Sequence, residues 1–156
     1  MRDLSSEDVV GALHRFGLER DRLRTAQARR LGIAVADLDA LEHLELAGPL
    51  TQRDLAMRLL LSSGAVTFLV DRLEEAGLVR RQPHPTDRRT TLVSLAPGAE
   101  LPEVPELDQY HQSIRREAAQ LPATARSVVA DFLSTVTAHA ADATAELQRR
   151  KAGQAK

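Results

Sequence analysis

Along this chain of 156 residues the apolar positions follow a helical period over most of the length and a strand period in one short stretch. Val9, Leu13, Phe16 and Leu23 recur at steps of four, three and seven, which predicts a long amphipathic first helix ending near Leu31-Gly32. Ser5 and Ser6 before Glu7 and Asp8 supply its start, because a hydroxyl accepts from orphan N–H groups and acids suit the positive end of the helix dipole. Gly11 and Gly17 weaken it locally, so it depends on packing against a partner. A second helix is expected from about Ala36 to Ala47, with Leu38, Leu41 and Leu44 on one stripe and Gly48-Pro49 as its stop. "TQRD" restarts a short helix over residues 52–59, Thr51 capping it and Asp54 taking the reciprocal position of a capping box, with Leu55, Ala56 and Leu59 inward. Ser62 caps a fourth helix, Val66, Leu69, Val70 and Leu73 form its buried face, and Gly77 fits the left-handed site at its end.

The period then shortens. "LVRRQ" and "TTLVSL" read as two strands, joined by the loop "PHPTDRRTT" at residues 83–91. Prolines at 97, 102 and 105 exclude a continuous helix through "APGAELPEVPE", leaving a shorter one at roughly 107–120. "LPATARSVVADFLSTVTAHAADATAELQRR" predicts a terminal helix of about 27 residues, near 40 Å long. Its stripe of Val128, Val129, Phe132, Val136 and Ala140 is too long for one small domain to cover, and "KAGQAK" is read as a frayed tail.

Composition narrows the classes of function. Hydrophobic residues make up 43% and charged residues 28%, as in ordinary folded proteins. No apolar run approaches the roughly 20 residues that cross a bilayer, and "MRDLSSEDVV" lacks the basic start and apolar run of a signal peptide, so a cytoplasmic location without membrane contact is expected. The absence of cysteine excludes disulfides, thiol nucleophiles and thiolate metal sites. The histidines at 14, 43, 84, 111 and 139 form no metal-ligand pair and are read as incidental; neither a metal nor a cofactor is expected. No paired carboxylates, nucleophile with its base, or phosphate-cradling glycine loop points to an enzyme. The net charge of −1 hides an uneven distribution: residues 49–95 carry 7 positive and 5 negative side chains, the only third with a positive excess.

Two short helices a few residues apart, the second opening with small polar residues and followed by a basic hairpin, describe a winged helix-turn-helix. A B-DNA major groove admits one helix, and small residues at its N-terminus let backbone approach bases and phosphates. Ser62, Ser63, Gly64, Ala65 and Thr67 supply that end, with Phe68 following. An arginine on a stiff loop suits a narrow A·T-rich minor groove, where the negative potential is enhanced. Asp87 at the base of the tip is expected to hold a neighbouring guanidinium by paired hydrogen bonds.

On these residues the chain resembles the MarR-type transcriptional regulators. The resemblance runs closely over residues 35–99, and its most specific part is the wing pattern Asp87, Arg89, Val93 and Leu95; "LVDRLEEAGLVRR" matches the end of the recognition helix and the start of the wing. It implies a mainly α (α+β) fold: a single domain over residues 1–150, with dimerisation helices at 1–34 and 106–150 around a DNA-binding lobe at 35–99, and a tail at 151–156. It implies a homodimer that binds pseudo-palindromic double-stranded DNA as a repressor and is released by a small ligand. Carried over by position, Arg89 is the minor-groove arginine, Asp87 its orienting partner and Arg88 a phosphate contact; Ser62 to Phe68 face the major groove. Thr51, Gln52, Arg53, Arg72, Arg80 and Arg81 are read as further phosphate contacts, and Val9, Leu13, Phe16, Val128, Phe132 and Val136 as the dimer surface. No motif marks the effector pocket, and without cysteine the effector is a small organic molecule, or there is none. The chain departs from the family at Leu60, where a glycine is common in the turn and its replacement predicts a tighter turn or a longer third helix. It departs also at Phe68, where a basic residue is common and base readout gives way to contact with a thymine methyl or inward packing. A second reading, a winged-helix protein-interaction module without DNA affinity, rests on the net charge and Phe68.

Overall fold

The computed structural model describes residues 4–87, 89–99 and 104–154, with side chains as far as residue 150. The chain divides into two compact units, Met1–Val104 and Pro105–Lys156. The first unit runs α1 (Ser6–Leu31), α2 (Val35–Ala47), β1 (Leu50–Thr51), α3 (Gln52–Leu59), α4 (Ser63–Glu75), β2 (Val79–Pro83) and β3 (Thr91–Leu95); the second holds α5 (Pro105–Gln120) and α6 (Ala123–Gln154). The fold is mainly α with a small sheet, as the hydrophobic pattern requires. Among the described residues no helix is long and apolar enough to cross a membrane.

Ser5 caps α1: its Oγ accepts from the Asp8 N–H at 3.2 Å while the Asp8 carboxylate accepts from the Ser5 N–H at 3.0 Å. Gly32 closes the helix in the left-handed region, φ 70°. The core of the first unit lies where α2, α3 and α4 meet the sheet. Leu41 and Leu44 of α2, Leu50 of β1, Leu55 of α3, Val66, Leu69, Val70 and Leu73 of α4, Val79 of β2 and Val93 of β3 form one buried cluster. Every inward position expected on α2 and α4 is therefore buried. Each such leucine truncated to alanine removes about 2–5 kcal/mol.

Three expectations are corrected. The wing is not a two-stranded hairpin but part of a three-stranded antiparallel sheet ordered β1-β3-β2, because Leu50 pairs with Val93 and Thr51 with Leu92. A strand of two residues has no detectable period, and the capping role of Thr51 hid it. The capping box at α3 is half formed: Thr51 Oγ1 accepts from the Asp54 N–H at 3.0 Å, but the Asp54 carboxylate accepts from the Thr51 hydroxyl at 2.7 Å. Finally, α6 extends to Gln154, four residues beyond the expected end at Arg150. Pro105 opens α5, where a missing N–H costs nothing; Pro102 and the last residues of the tail lie outside the described residues.

Candidate nucleic-acid interface

The turn between α3 and α4 sets the pose of the exposed helix. α3 ends at Leu59, and Leu60 takes the left-handed conformation itself, φ 58° and ψ 32°. It alone does so among the described non-glycine residues. The Leu61 N–H donates to the Ala56 carbonyl at 3.1 Å, closing the turn. The turn is neither tightened nor replaced by a longer helix: leucine occupies the backbone conformation that glycine adopts more cheaply.

Ser62 then starts α4, its Oγ accepting from the Ala65 N–H at 3.3 Å. Ser63, Gly64, Ala65, Thr67 and Phe68 are exposed, whereas Val66, Leu69, Val70 and Leu73 are buried. Phe68 is 77% exposed, so it does not pack inward. One face of α4 therefore anchors the helix, and the other presents small polar groups and one aromatic ring. At the far end Gly77 is left-handed, φ 69°, and the Leu78 N–H reaches back to the Leu73 carbonyl at 2.9 Å, turning the chain into β2.

Not every arginine read as a phosphate contact is free. Arg72 donates its Nε to the Asp37 carboxylate at 3.0 Å and pairs with it again through the guanidinium; Asp37 is only 2% exposed and also accepts from the Ala34 N–H at 3.1 Å. This ion pair ties α4 to the N-terminus of α2. Arg81 is bracketed by Asp71 and Glu74 of α4, and its own N–H donates to Glu74 at 3.0 Å. Arg72 and Arg81, read as phosphate contacts, are thus each paired with acids within the lobe. Sequence spacing could not reveal it, because Asp37 lies 35 residues before Arg72. Arg53, Arg58, Arg80 and Arg89 are exposed, and no carboxylate among the described residues pairs with them. Arg80 makes only a 3.4 Å contact from Nε to the Ser94 hydroxyl. Arg58, not singled out from the sequence, belongs to this free set. Thr51 and Gln52 are half-buried at the start of α3, Thr51 engaged with Asp54.

The wing tip is held differently from the expectation. The Asp87 carboxylate binds no guanidinium among the described residues; it accepts from the Arg89 N–H at 3.0 Å and the Thr90 hydroxyl at 2.7 Å. An aspartate at this point of a turn reaches the N–H two residues on more readily than a flexible guanidinium. The Thr90 hydroxyl, then the Arg89 N–H, hold the Asp87 carboxyl below its ordinary value. Arg88 lies outside the described residues. His84 Nδ1 accepts from the Thr86 and Asp87 N–H groups at 3.3 and 3.2 Å.

Of the residues read as a dimer surface, Val9, Phe16, Val128 and Phe132 are exposed and Leu13 and Val136 half-buried. Between α1 and α2 a cleft of about 350 Å³ is lined by Asp21, Arg24, Asp39, Glu42, His43 and Leu46. Asp39 and Glu42 already pair with Arg24.

The MarR family model matches residues 31–90, which hold α2, β1, both helices of the motif and β2 as far as the wing tip, and stop before β3. The Multiple antibiotic resistance protein MarR of Escherichia coli is 30% identical over 136 residues, covering 86% of this chain and 90% of that protein. An uncharacterized HTH-type transcriptional regulator of Bacillus subtilis, YcgE, is 39% identical over 85 residues, 54% of this chain and 55% of its own length. Among solved structures, a transcriptional regulator from Thermotoga maritima superimposes with a TM-score of 0.60 at 25% identity, over 85% of this chain and 94% of that one. The apo form of Escherichia coli MarR gives 0.52 at 26% identity, over 86% and 98%. The fold is also that of a mutant of S. aureus MepR bound to an oligodeoxyribonucleotide, with a TM-score of 0.53 at 19% identity over 84% of this chain and 96% of that one. The chain belongs to the MarR family of winged helix-turn-helix transcriptional regulators.

Proposed function

We propose that the chain acts as a homodimeric repressor that binds a pseudo-palindromic operator and is released by a small organic effector. The observation that carries the DNA-binding part is α4: four buried apolar residues fix one face, while Ser62, Ser63, Gly64, Ala65, Thr67 and Phe68 stand exposed on the remainder. A helix held this way fits a major groove, its small N-terminal residues allowing close approach and Phe68 meeting a thymine methyl. Arg89 enters the adjacent minor groove, and Arg53, Arg58 and Arg80 meet phosphates. Arg72 and Arg81 support the lobe instead.

The helices α1, α5 and α6 form the dimer arm, because their exposed apolar residues need a second copy to cover them. Residues 35–99 are the DNA-binding lobe of a single functional domain. Release by an effector is the family's usual regulation; no residue of the chain is assigned to it.

A gel-shift against the DNA upstream of the chain's own gene tests the reading. Arg89→Ala is expected to weaken binding at least tenfold and Phe68→Ala about three- to tenfold, both with unchanged folding. Affinity should also fall steeply with salt, as phosphate neutralisation requires. Unchanged affinity in Arg89→Ala rejects the wing assignment, and salt-independent association favours a protein-interaction module.

A further inference from the structure

His84 is placed unlike an incidental surface histidine. Its backbone N–H donates to the Thr90 carbonyl at 2.9 Å, extending the β2–β3 ladder by one pair beyond Pro83 and Thr91. Its half-buried ring turns over the loop, where Nδ1 receives the Thr86 N–H at 3.3 Å and the Asp87 N–H at 3.2 Å, with the Thr86 hydroxyl also at 3.3 Å. Two N–H groups converging on one ring nitrogen require that nitrogen to be unprotonated, which puts the proton on Nε2. The neighbouring residues Pro83 and Pro85 have no N–H to offer, so the first two free donors after Pro85 both go to the ring.

We propose that His84 is the positioning residue of the wing: its neutral imidazole, accepting at Nδ1, fixes the backbone that presents Arg89 to DNA. The inference rests on the reading of Arg89 as a minor-groove residue. Two brackets act in series. The His84 ring holds the N–H of Asp87, and the Asp87 carboxylate then holds the N–H of Arg89 and the hydroxyl of Thr90, while the Thr90 N–H donates to the Asp87 carbonyl at 3.0 Å. Removing the first bracket frees the N–H groups of Thr86 and Asp87 and lets the aspartate, and with it Arg89, sample other positions. A flexible arginine must be ordered on binding, and that ordering lowers affinity.

The acceptor, not the ring as such, does this. In histidine Nδ1 and in asparagine Oδ1 are both attached to Cγ, so asparagine places an acceptor at the same reach and alanine places none. The test measures binding of the purified chain to a duplex enriched from a random-sequence pool by the wild-type protein, at about pH 8. His84→Ala is expected to weaken binding about tenfold with Tm unchanged, His84→Asn to stay within about threefold of wild type, and Arg89→Ala to lose at least tenfold. A long-range proton–nitrogen NMR spectrum of the wild-type chain should show His84 with Nδ1 unprotonated. If Arg89→Ala loses affinity but His84→Ala does not, or if His84→Asn is as weak as His84→Ala, the positioning role is overturned while the wing reading stands. A protonated Nδ1 at that pH overturns it without any variant. Wild-type binding by Arg89→Ala would instead remove the reading on which it rests.

Discussion

Leu60 sits at φ 58° between α3 and α4, with its side chain largely in solvent. The left-handed backbone costs a leucine about 1–2 kcal/mol, and glycine there would raise the entropy of the unfolded chain by an opposing amount of about 0.4–1 kcal/mol. Leu60→Gly should therefore raise Tm by about 2 °C, measured by calorimetry; a lowered Tm would show that the side chain makes contacts outweighing the strain. Asp87 gives a pH dependence of known sign. Its pKa is depressed in the folded chain by Thr90 and Arg89, so its bonds are present above the ordinary value of 3.8 and are lost as pH falls through the lower folded value. Hydrogen exchange at the Arg89 amide should keep its protection down to about pH 4 and lose it below; loss of protection already near pH 6 would assign the bond to another group.

At the scale of elements, the Asp37–Arg72 pair joins α2 to the recognition helix α4, and its two halves are not equivalent. Arg72 is partly exposed and Asp37 is buried, so removing the arginine strands a carboxylate that has only the Ala34 N–H left. Arg72→Met should cost about 3–5 kcal/mol. Asp37→Asn keeps one oxygen for the Arg72 Nε and the Ala34 N–H, loses the second bond to the guanidinium and leaves no buried charge, so it should cost less, about 1–2 kcal/mol. Urea unfolding of the two variants checks the order, and equal costs would contradict the burial argument. The helices themselves were legible from the sequence, because buried faces such as Val66, Leu69, Val70 and Leu73 carry their period, and caps such as Ser5 and Ser62 mark their starts. What was illegible has no period: the strand of Leu50 and Thr51, defined only by its pairing with β3, and the internal pairing of Arg72 and Arg81 with acids on packed helices. His84 was missed for the same reason, since a bond from Nδ1 to backbone leaves no trace in spacing.

At the scale of the whole molecule, a net charge of −1 provides no general basic surface, so the proposed DNA binding depends on a small set of arginines. Arg72 and Arg81 are paired with acids, whereas Arg53, Arg58, Arg80 and Arg89 have no carboxylate partner among the described residues. Few free charges per copy make a second copy energetically important, because two lobes double the phosphate contacts. In the proposed homodimer the two α4 helices are expected about 34 Å apart, one turn of B-DNA. Hydroxyl-radical footprinting on the enriched duplex tests this arrangement most directly. Two symmetric protected patches about 10 base pairs apart are expected, with flanking minor-groove protection that disappears in Arg89→Ala. A single patch without two-fold symmetry, or flanks that persist in that variant, would contradict it.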